Sequence, residues 1–502
     1  MSQSDAIPRE AAAPEPSPRA LLLTVFPSIM LPVFLAVIDQ TIVATALPDI
    51  ARSLGEVERL SWVVVSYLLS NTIAAPVYGR LGDAFGRRRL MLSALALFIL
   101  ASLACAAANS MMTLVAARVA QGFGGGGLFV LSQALIGESV PPRQRGHFQG
   151  YLATMIVCGS TFGPVAGGFL TEWFGWRSVF LVNLPLGLLG MLLVLRLPKG
   201  TRHYERLAFD GIGLILLSAC VTALLMAFEF AQHLDPAMVP VMLALAAVAG
   251  VSGVLLVRQE RRARAPLIPL GLIRQPAIWR CCCMSALAGA SLVSMVTFLP
   301  IFLQVAHGAS PAETGFLMLP LTAGVGCGSF TFGRSISWTG RTAILPSCAL
   351  LVTFATLVLL GIFSPRMTPW QVTCLLGFGG FFQGSAMPVA QVTVQMVSGP
   401  RLLGVGAGAM QLARSIGSAF GVALVGAVLF GVLAVTDSET AGLFAGMVRE
   451  GPAAMSHLPP GRAAIVQTEI ANAFRAVFLT VSVFSCCISA LAWTLPVRRL
   501  AT

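Results

Sequence analysis

Charge is scarce in this sequence: only 10% of its 502 residues are Asp, Glu, Lys or Arg. A soluble globule of this size must coat itself with polar groups, so that scarcity excludes one. Lysine is nearly missing, Lys199 being the single example, and there are only five histidines. These are His147, His203, His233, His307 and His457, scattered and without cysteines at zinc-ligand spacing, so no metal centre is expected. The Gly-rich run 122–127 lacks the Gly-Lys-Ser/Thr that a phosphate-binding loop needs, which excludes nucleotide chemistry of that kind. The first twenty residues lack an apolar core followed by a small-residue cleavage pattern. They read as a cytoplasmic tail leading into an uncleaved first span.

Apolar residues are abundant, at 56% of the chain with a mean hydropathy of +0.84. A bilayer core about 30 Å thick is crossed by about 20 apolar helical residues. Apolar stretches between charged or Gly/Pro breaks predict fourteen spans. Those of the first part lie near 21–48, 59–79, 90–109, 112–137, 147–171 and 177–196. A pair follows at 210–231 and 237–257. The last six lie near 280–306, 315–334, 342–363, 370–396, 403–433 and 474–496. The eleven cysteines fall in or at the edge of these runs, where thiols lack the water that oxidation requires.

The net charge of +12 comes almost wholly from arginine in short loops. Counted along the fourteen spans, basic loop residues on the side of the N-terminus outnumber those opposite by roughly three to one, which places both termini in the cytoplasm. Such loop arginines are topology signals, so no nucleic acid partner is expected.

An internal repeat organises the chain. Gly79-Arg80 with Gly86-Arg87 recurs as Gly333-Arg334 with Gly340-Arg341, and Gly163 and Gly167 recur as Gly417 and Gly421. Gly122-Phe123-Gly124-Gly125 recurs at a nearly identical offset as Gly377-Phe378-Gly379-Gly380, and Pro48 matches Pro300. The predicted organisation is therefore a tail over 1–20, a six-helix bundle over 21–197, a linker with two inserted helices over 198–279, and a second six-helix bundle over 280–497. Parallel six-helix repeats around a site at the bilayer midplane describe the major facilitator architecture.

Four segments carry candidate chemistry. Asp39, in Ile38-Asp39-Gln40-Thr41, is the clearest carboxylate deep in an apolar run, where a charge is costly and needs a partner or an aqueous cavity. Arg118, with Gln121 and Gly122 in span four, lies at a comparable depth, and the pair is expected to link proton binding to the direction the cavity faces. Gly79-Arg80-Leu81-Gly82-Asp83-Ala84-Phe85-Gly86-Arg87-Arg88-Arg89 forms a tight turn in which Asp83 can cap the following helix or pair with a basic group. Its copy has Ser337 in place of Asp83. In span five, Gly159, Gly163 and Gly167 give a smooth helix face and Pro164 a bend, with Gly168 beside them.

The 79–89 turn resembles the signature loop of the major facilitator superfamily, which implies a conformational latch at Gly79, Asp83, Gly86, Arg87 and Arg88. The segment around Asp39, the Arg-x-x-Gln-Gly pattern at Arg118, the glycines of span five and Trp176-Arg177-Ser178-Val179-Phe180-Leu181-Val182-Asn183-Leu184-Pro185 together resemble the fourteen-helix drug:proton antiporters. That resemblance implies an all-α integral membrane fold with two six-helix halves plus a two-helix insert. It further implies secondary active export of lipophilic, cationic small molecules in exchange for protons, with no catalysis and no cofactor beyond the coupling proton. Asn71, Gln121, Gln133, Gln304, Gln383, Gln411 and Arg414 are candidate cavity-lining residues, and Glu229 is a second carboxylate of lower rank. The residues leave open a dedicated exporter of one endogenous product and a proton-coupled uptake symporter. The inner membrane is the expected location, the lipid bilayer and a small-molecule substrate the expected partners. A monomer is expected to suffice, with an adaptor spanning the envelope left open.

Overall fold

A computed structural model describes residues 25–55, 60–197, 210–231, 238–309, 311–340, 344–437, 440, 443–444 and 460–496. The tail 1–20, the 198–209 connection and much of the outer segment 434–473 lie outside the described residues.

Among the described residues, fourteen helices are long and apolar enough to cross a membrane. They are α1 (Phe26–Leu54), α2 (Leu60–Phe85), α3 (Arg87–Ala106), α4 (Met111–Ser139), α5 (Arg145–Phe174) and α6 (Ser178–Leu195), then α7 (Gly211–Ala231) and α8 (Val239–Arg262). The remaining six are α9 (Pro276–Ala306), α10 (Glu313–Thr339), α11 (Pro346–Arg366), α12 (Pro369–Val397), α13 (Leu403–Thr436) and α14 (Ile465–Trp493). Each matches one expected span, but several run longer than the apolar stretch that signals them. Helix α1 continues to Leu54, past 48, because Asp49 and Arg52 pair at 3.2 Å one turn apart and support a polar final turn. The outer surface is apolar: Leu192 is 60% exposed, Ile215 70% and Leu243 67%. In water such a surface would be untenable; in hydrocarbon it is the solvated face. The chain is a multi-pass membrane protein.

Helices α1–α6 pack among themselves, with α1 on α5 and α4 against both α2 and α3. Helices α9–α14 do the same, with α9 on α13, α10 on α12 and α11 on α14. The pair α7–α8 packs together, and α7 leans on α13 and α2. The two largest clusters of buried apolar residues stay within one set each, Val25 to Leu197 and Ala290 to Phe484. Between the sets, the only such cluster among the described residues is Ala75, Val130 and Ala407. Each half thus has its own cohesion, while the seam between them is held by small side chains and polar contacts. A seam of that kind can open without unfolding either half.

The seam closes at the Arg-rich face. Gly79 on α2 meets the backbone of Gly404 on α13, and one turn on, a Cβ at Gly408 would lie 2.8 Å from Ala75 O. On the opposite flank, Gly146 on α5 meets the backbone of Gly333 on α10, and the Tyr151 and Phe330 rings pack at 5.4 Å. Glycine is required at these crossings because any Cβ would collide with the facing main chain.

Candidate functional site: a sealed ion pair and a latch across the halves

Asp39 sits mid-way along α1 with no exposed surface, and Arg118 on α4 is 1% exposed. Arg118 Nη1 donates to Asp39 Oδ2 at 2.7 Å. Asp39 Oδ1 accepts from Gln121 Nε2 at 2.8 Å and from Asn183 Nδ2 at 2.6 Å. The carboxylate therefore meets three donors from α4 and α6, as a buried charge must to be tolerated. Gln121 is fully used: its carbonyl accepts from Arg118 Nη1 at 2.7 Å and from the Cys105 thiol at 3.4 Å, and its amide also donates to Ser102 Oγ at 2.8 Å. Arg118 Nε donates to Val63 O at 3.1 Å, and the guanidinium carbon lies 4.2 Å from the centre of the Tyr67 ring. Arg118 is thus fixed between a carboxylate and an aromatic face, a geometry suited to a planar guanidinium and not to an ammonium.

The latch residues form a second network. Asp83 does not cap the helix that follows it, whose N-cap Gly86 has no side-chain cap bond. Instead it caps α13 in the other half: Gly404 N and Val405 N donate to Asp83 Oδ1 and Oδ2, both at 2.9 Å. The exposed N–H groups of a helix start draw a carboxylate by hydrogen bonding and by the helix dipole. Arg87 donates to Asp83 Oδ1 through Nη2 at 2.7 Å, to Glu138 Oε2 through Nη1 at 2.7 Å and to Pro400 O at 2.8 Å. Arg88 serves its own half, donating from Nε to Val194 O at 3.2 Å. At the equivalent place in the second half, Ser337 Oγ accepts from His147 N at 3.2 Å, close to the start of α5. The crossing is repeated with a hydroxyl in place of the carboxylate.

The glycine stripe of α5 lies on α1. A Cβ at Gly159 would fall 2.9 Å from Val37 Cγ1, and one at Gly163 or Gly167 would strike Thr41 or Thr45 and Ile42. Thr41 Oγ1 lies 3.2 Å from Gly159 O across the same crossing. This stripe holds the helix that carries Asp39. Pro164 and Gly168 face away from it and are exposed; no atom lies within 4 Å of a Cβ built at Gly168.

The candidate lining residues scatter. Gln121 belongs to the Asp39 network. Gln133 is fully buried, accepting from Gln149 Nε2 at 2.7 Å, while its main-chain carbonyl accepts from Gln395 Nε2 at 2.9 Å across the seam. Gln383 is buried, with neither amide atom hydrogen-bonded to protein, beside a small cavity lined by Ser291, Met295, Thr353 and Thr356. Gln304 lies half-buried in the terminal turn of α9, and Glu229 lies half-buried on α7, remote in sequence from both networks. Asn71 and Gln411 occupy the turns of α2 and α13 next to the Ala75–Gly408 crossing. Arg414 Nε donates to Gln411 Oε1 at 3.1 Å. Sequence reasoning assigned no role to Asn183, Glu138, Ser102 or Tyr67. Asn183 lies within the 176–185 segment, and only the fold turns its amide onto Asp39.

Comparison with known proteins fits this geometry. The sequence profile of the Major Facilitator Superfamily matches residues 29–422. The chain belongs to the major facilitator superfamily. Among curated relatives, an uncharacterized MFS-type transporter of Mycobacterium tuberculosis is 30% identical over 91% of this chain and 66% of its own length. The chain thus spans just under two thirds of that relative. The drug efflux pump JefA of the same organism is 32% identical over 79% of this chain and 78% of its own. The multidrug transporter protein MdtP of Bacillus subtilis is 29% identical over 82% and 76%. Among solved structures, the human organic anion transporter MFSD10 superposes with a TM-score of 0.63 at 16% identity, covering 95% of this chain and all of that one. The proton:xylose symporter XylE gives 0.62 at 15%, covering 95% and 96%. At those identities the structures speak for the fold alone.

Proposed function

We propose that the chain is an inner-membrane exporter of lipophilic small molecules driven by protons moving inward, with both termini and the Arg-rich face in the cytoplasm. Relatives named as a drug efflux pump and a multidrug transporter support the export of such compounds. The observation that carries the coupling is the sealed Asp39–Arg118 pair: a carboxylate with no exposed surface, held by three donors and cut off from water. In that arrangement both carboxylate oxygens are taken up by donors from α4 and α6. Taking up a proton requires Arg118 to withdraw and water to enter, so protonation and a change in helix packing are one event. Movement of one charge down the membrane potential releases about 2.3 kcal/mol per 100 mV, enough for a tenfold to hundredfold substrate gradient. The expected preference for cations rests on the resemblance; in the closed geometry Asp39 has no free edge to receive one.

The test uses purified protein in sealed liposomes with an imposed proton gradient and a fluorescent dye. Asp39→Asn should lower gradient-driven dye transport by at least about tenfold while downhill exchange persists, since an amide cannot cycle a proton. Removing one partner of a buried pair also costs about 3–5 kcal/mol of stability, so elution profile and melting are measured on the same sample. Wild-type uphill transport by a folded Asp39→Asn protein would remove this residue from the mechanism. Arg118→Lys keeps the charge but loses the fork, and should shift the pH dependence of exchange.

A further inference from the structure

We propose that Arg414 is a subsite for the negatively charged group of an amphiphilic ligand, at the seam between the two halves. This rests on the transporter reading proposed above and deepens it by assigning a ligand charge opposite to the one the sequence suggested.

The position follows from the register of the seam. Helix α13 meets α2 at Gly404 against Gly79 and again at Gly408 against Ala75, with Ala407 in the small apolar contact beside Val130. Gln411 and Arg414 occupy the next two turns of α13, about 15 Å from its start at the rise of an α-helix. They are thus the first polar side chains of this helix past the point where the halves touch. From the other half, Phe129 on α4 faces this site: the Arg414 guanidinium carbon lies 5.2 Å from its ring centre. The residue therefore bridges the two walls above the seal.

Its chemistry is incomplete there, whereas Arg118 meets the Asp39 carboxylate and Arg145 donates to both Val140 O and Gly137 O. Arg414 has one hydrogen bond, from Nε to Gln411 Oε1, and no carboxylate among the described residues pairs with it. That single bond matters for orientation, because it holds one edge of the guanidinium and leaves the Nη1 and Nη2 pair free. A charge at membrane depth without a counter-ion is costly and normally answers to a mobile one. The free pair matches a carboxylate or sulfonate bidentately. Phe129 supplies an aromatic surface for the apolar body of the same ligand. When the halves rock apart, Phe129 leaves and Gln411 stays with Arg414, so the anion's grip and the apolar grip separate during the cycle.

A matched set of fluorescent probes tests this on the purified full chain in detergent: dansylglycine, its uncharged amide, and the cationic dansyl-ethylenediamine. Wild type should bind dansylglycine about tenfold tighter than the amide. Arg414→Gln should erase that difference and leave the amide's affinity within about twofold, while Arg414→Lys should keep part of it. Elution and melting of each variant establish that it is folded. Equal binding of all three probes, tightest binding of the cation, absence of binding by any probe, or undiminished anion preference in Arg414→Gln would each overturn the assignment. Because binding is measured without a gradient, this result is independent of the Asp39→Asn transport result. Anion selectivity can stand while proton-driven export fails, and the reverse.

Discussion

The two halves make the same crossing at the Arg-rich face with different chemistry. In one, Asp83 accepts two main-chain N–H groups at the start of α13 and a fork from Arg87. In the other, Ser337 accepts a single N–H from His147, and Arg334 approaches the His147 ring at 3.3 Å. Beneath both lies a glycine-to-glycine backbone contact, Gly79 with Gly404 and Gly146 with Gly333. Steric fit is therefore shared between the halves, while charge is not. A duplicated body needs close approach on both flanks to close the seam, whereas one charged clasp suffices to bias when it opens.

The backbone contacts should give the largest effect. Gly404→Val and Gly333→Val each place a side chain where the facing main chain already lies, so each should hold the Arg-rich face open and cut transport at least about tenfold. Distance distributions between spin labels on α2 and α13, or on α5 and α10, measure this. If only one of the two variants opened the face, the flanks would not be mechanically equivalent. The charged clasp comes next: Asp83→Asn should weaken the closed state by about 1.5–3 kcal/mol, the worth of hydrogen bonds to a charged group. Ser337→Ala should cost only about 0.5–1.5 kcal/mol by the same label distances, and equal costs would erase the asymmetry. Smallest is Glu138→Gln. The Glu138 side chain is 31% exposed, so its bond to Arg87 is partly screened and its loss should shift the opening equilibrium by less than about 1 kcal/mol.

Much of this was legible one helix at a time. Hydropathy alone marks fourteen spans, and Asp39, Arg118 and Arg414 stand out because ionisable groups are rare in such runs. The glycine spacing in α5 foretells a packing face without naming α1 as its partner. What failed to show in the chain was contact between distant residues. The helix that Asp83 caps starts 321 residues away, whereas the local pattern offered the next helix or a basic group, of which only the basic partner, Arg87, is found. Gln121 and Gln133 look like cavity lining because they are polar in apolar runs, yet packing turns both into buried junctions. Periodicity reports which residues share a helix, and it cannot report which face meets a neighbour when nearly every face is apolar.

Composition and spacing by themselves determined that this chain lives in lipid and crosses it with helices, because long unbroken apolar runs satisfy their backbone hydrogen bonds there within each segment. Only the tertiary structure decided which charges are satisfied. It encloses Asp39 with Arg118 and leaves Arg414 without a counter-ion among the described residues, since electrostatic pairing depends on ångström distances between helices that the order of residues does not encode.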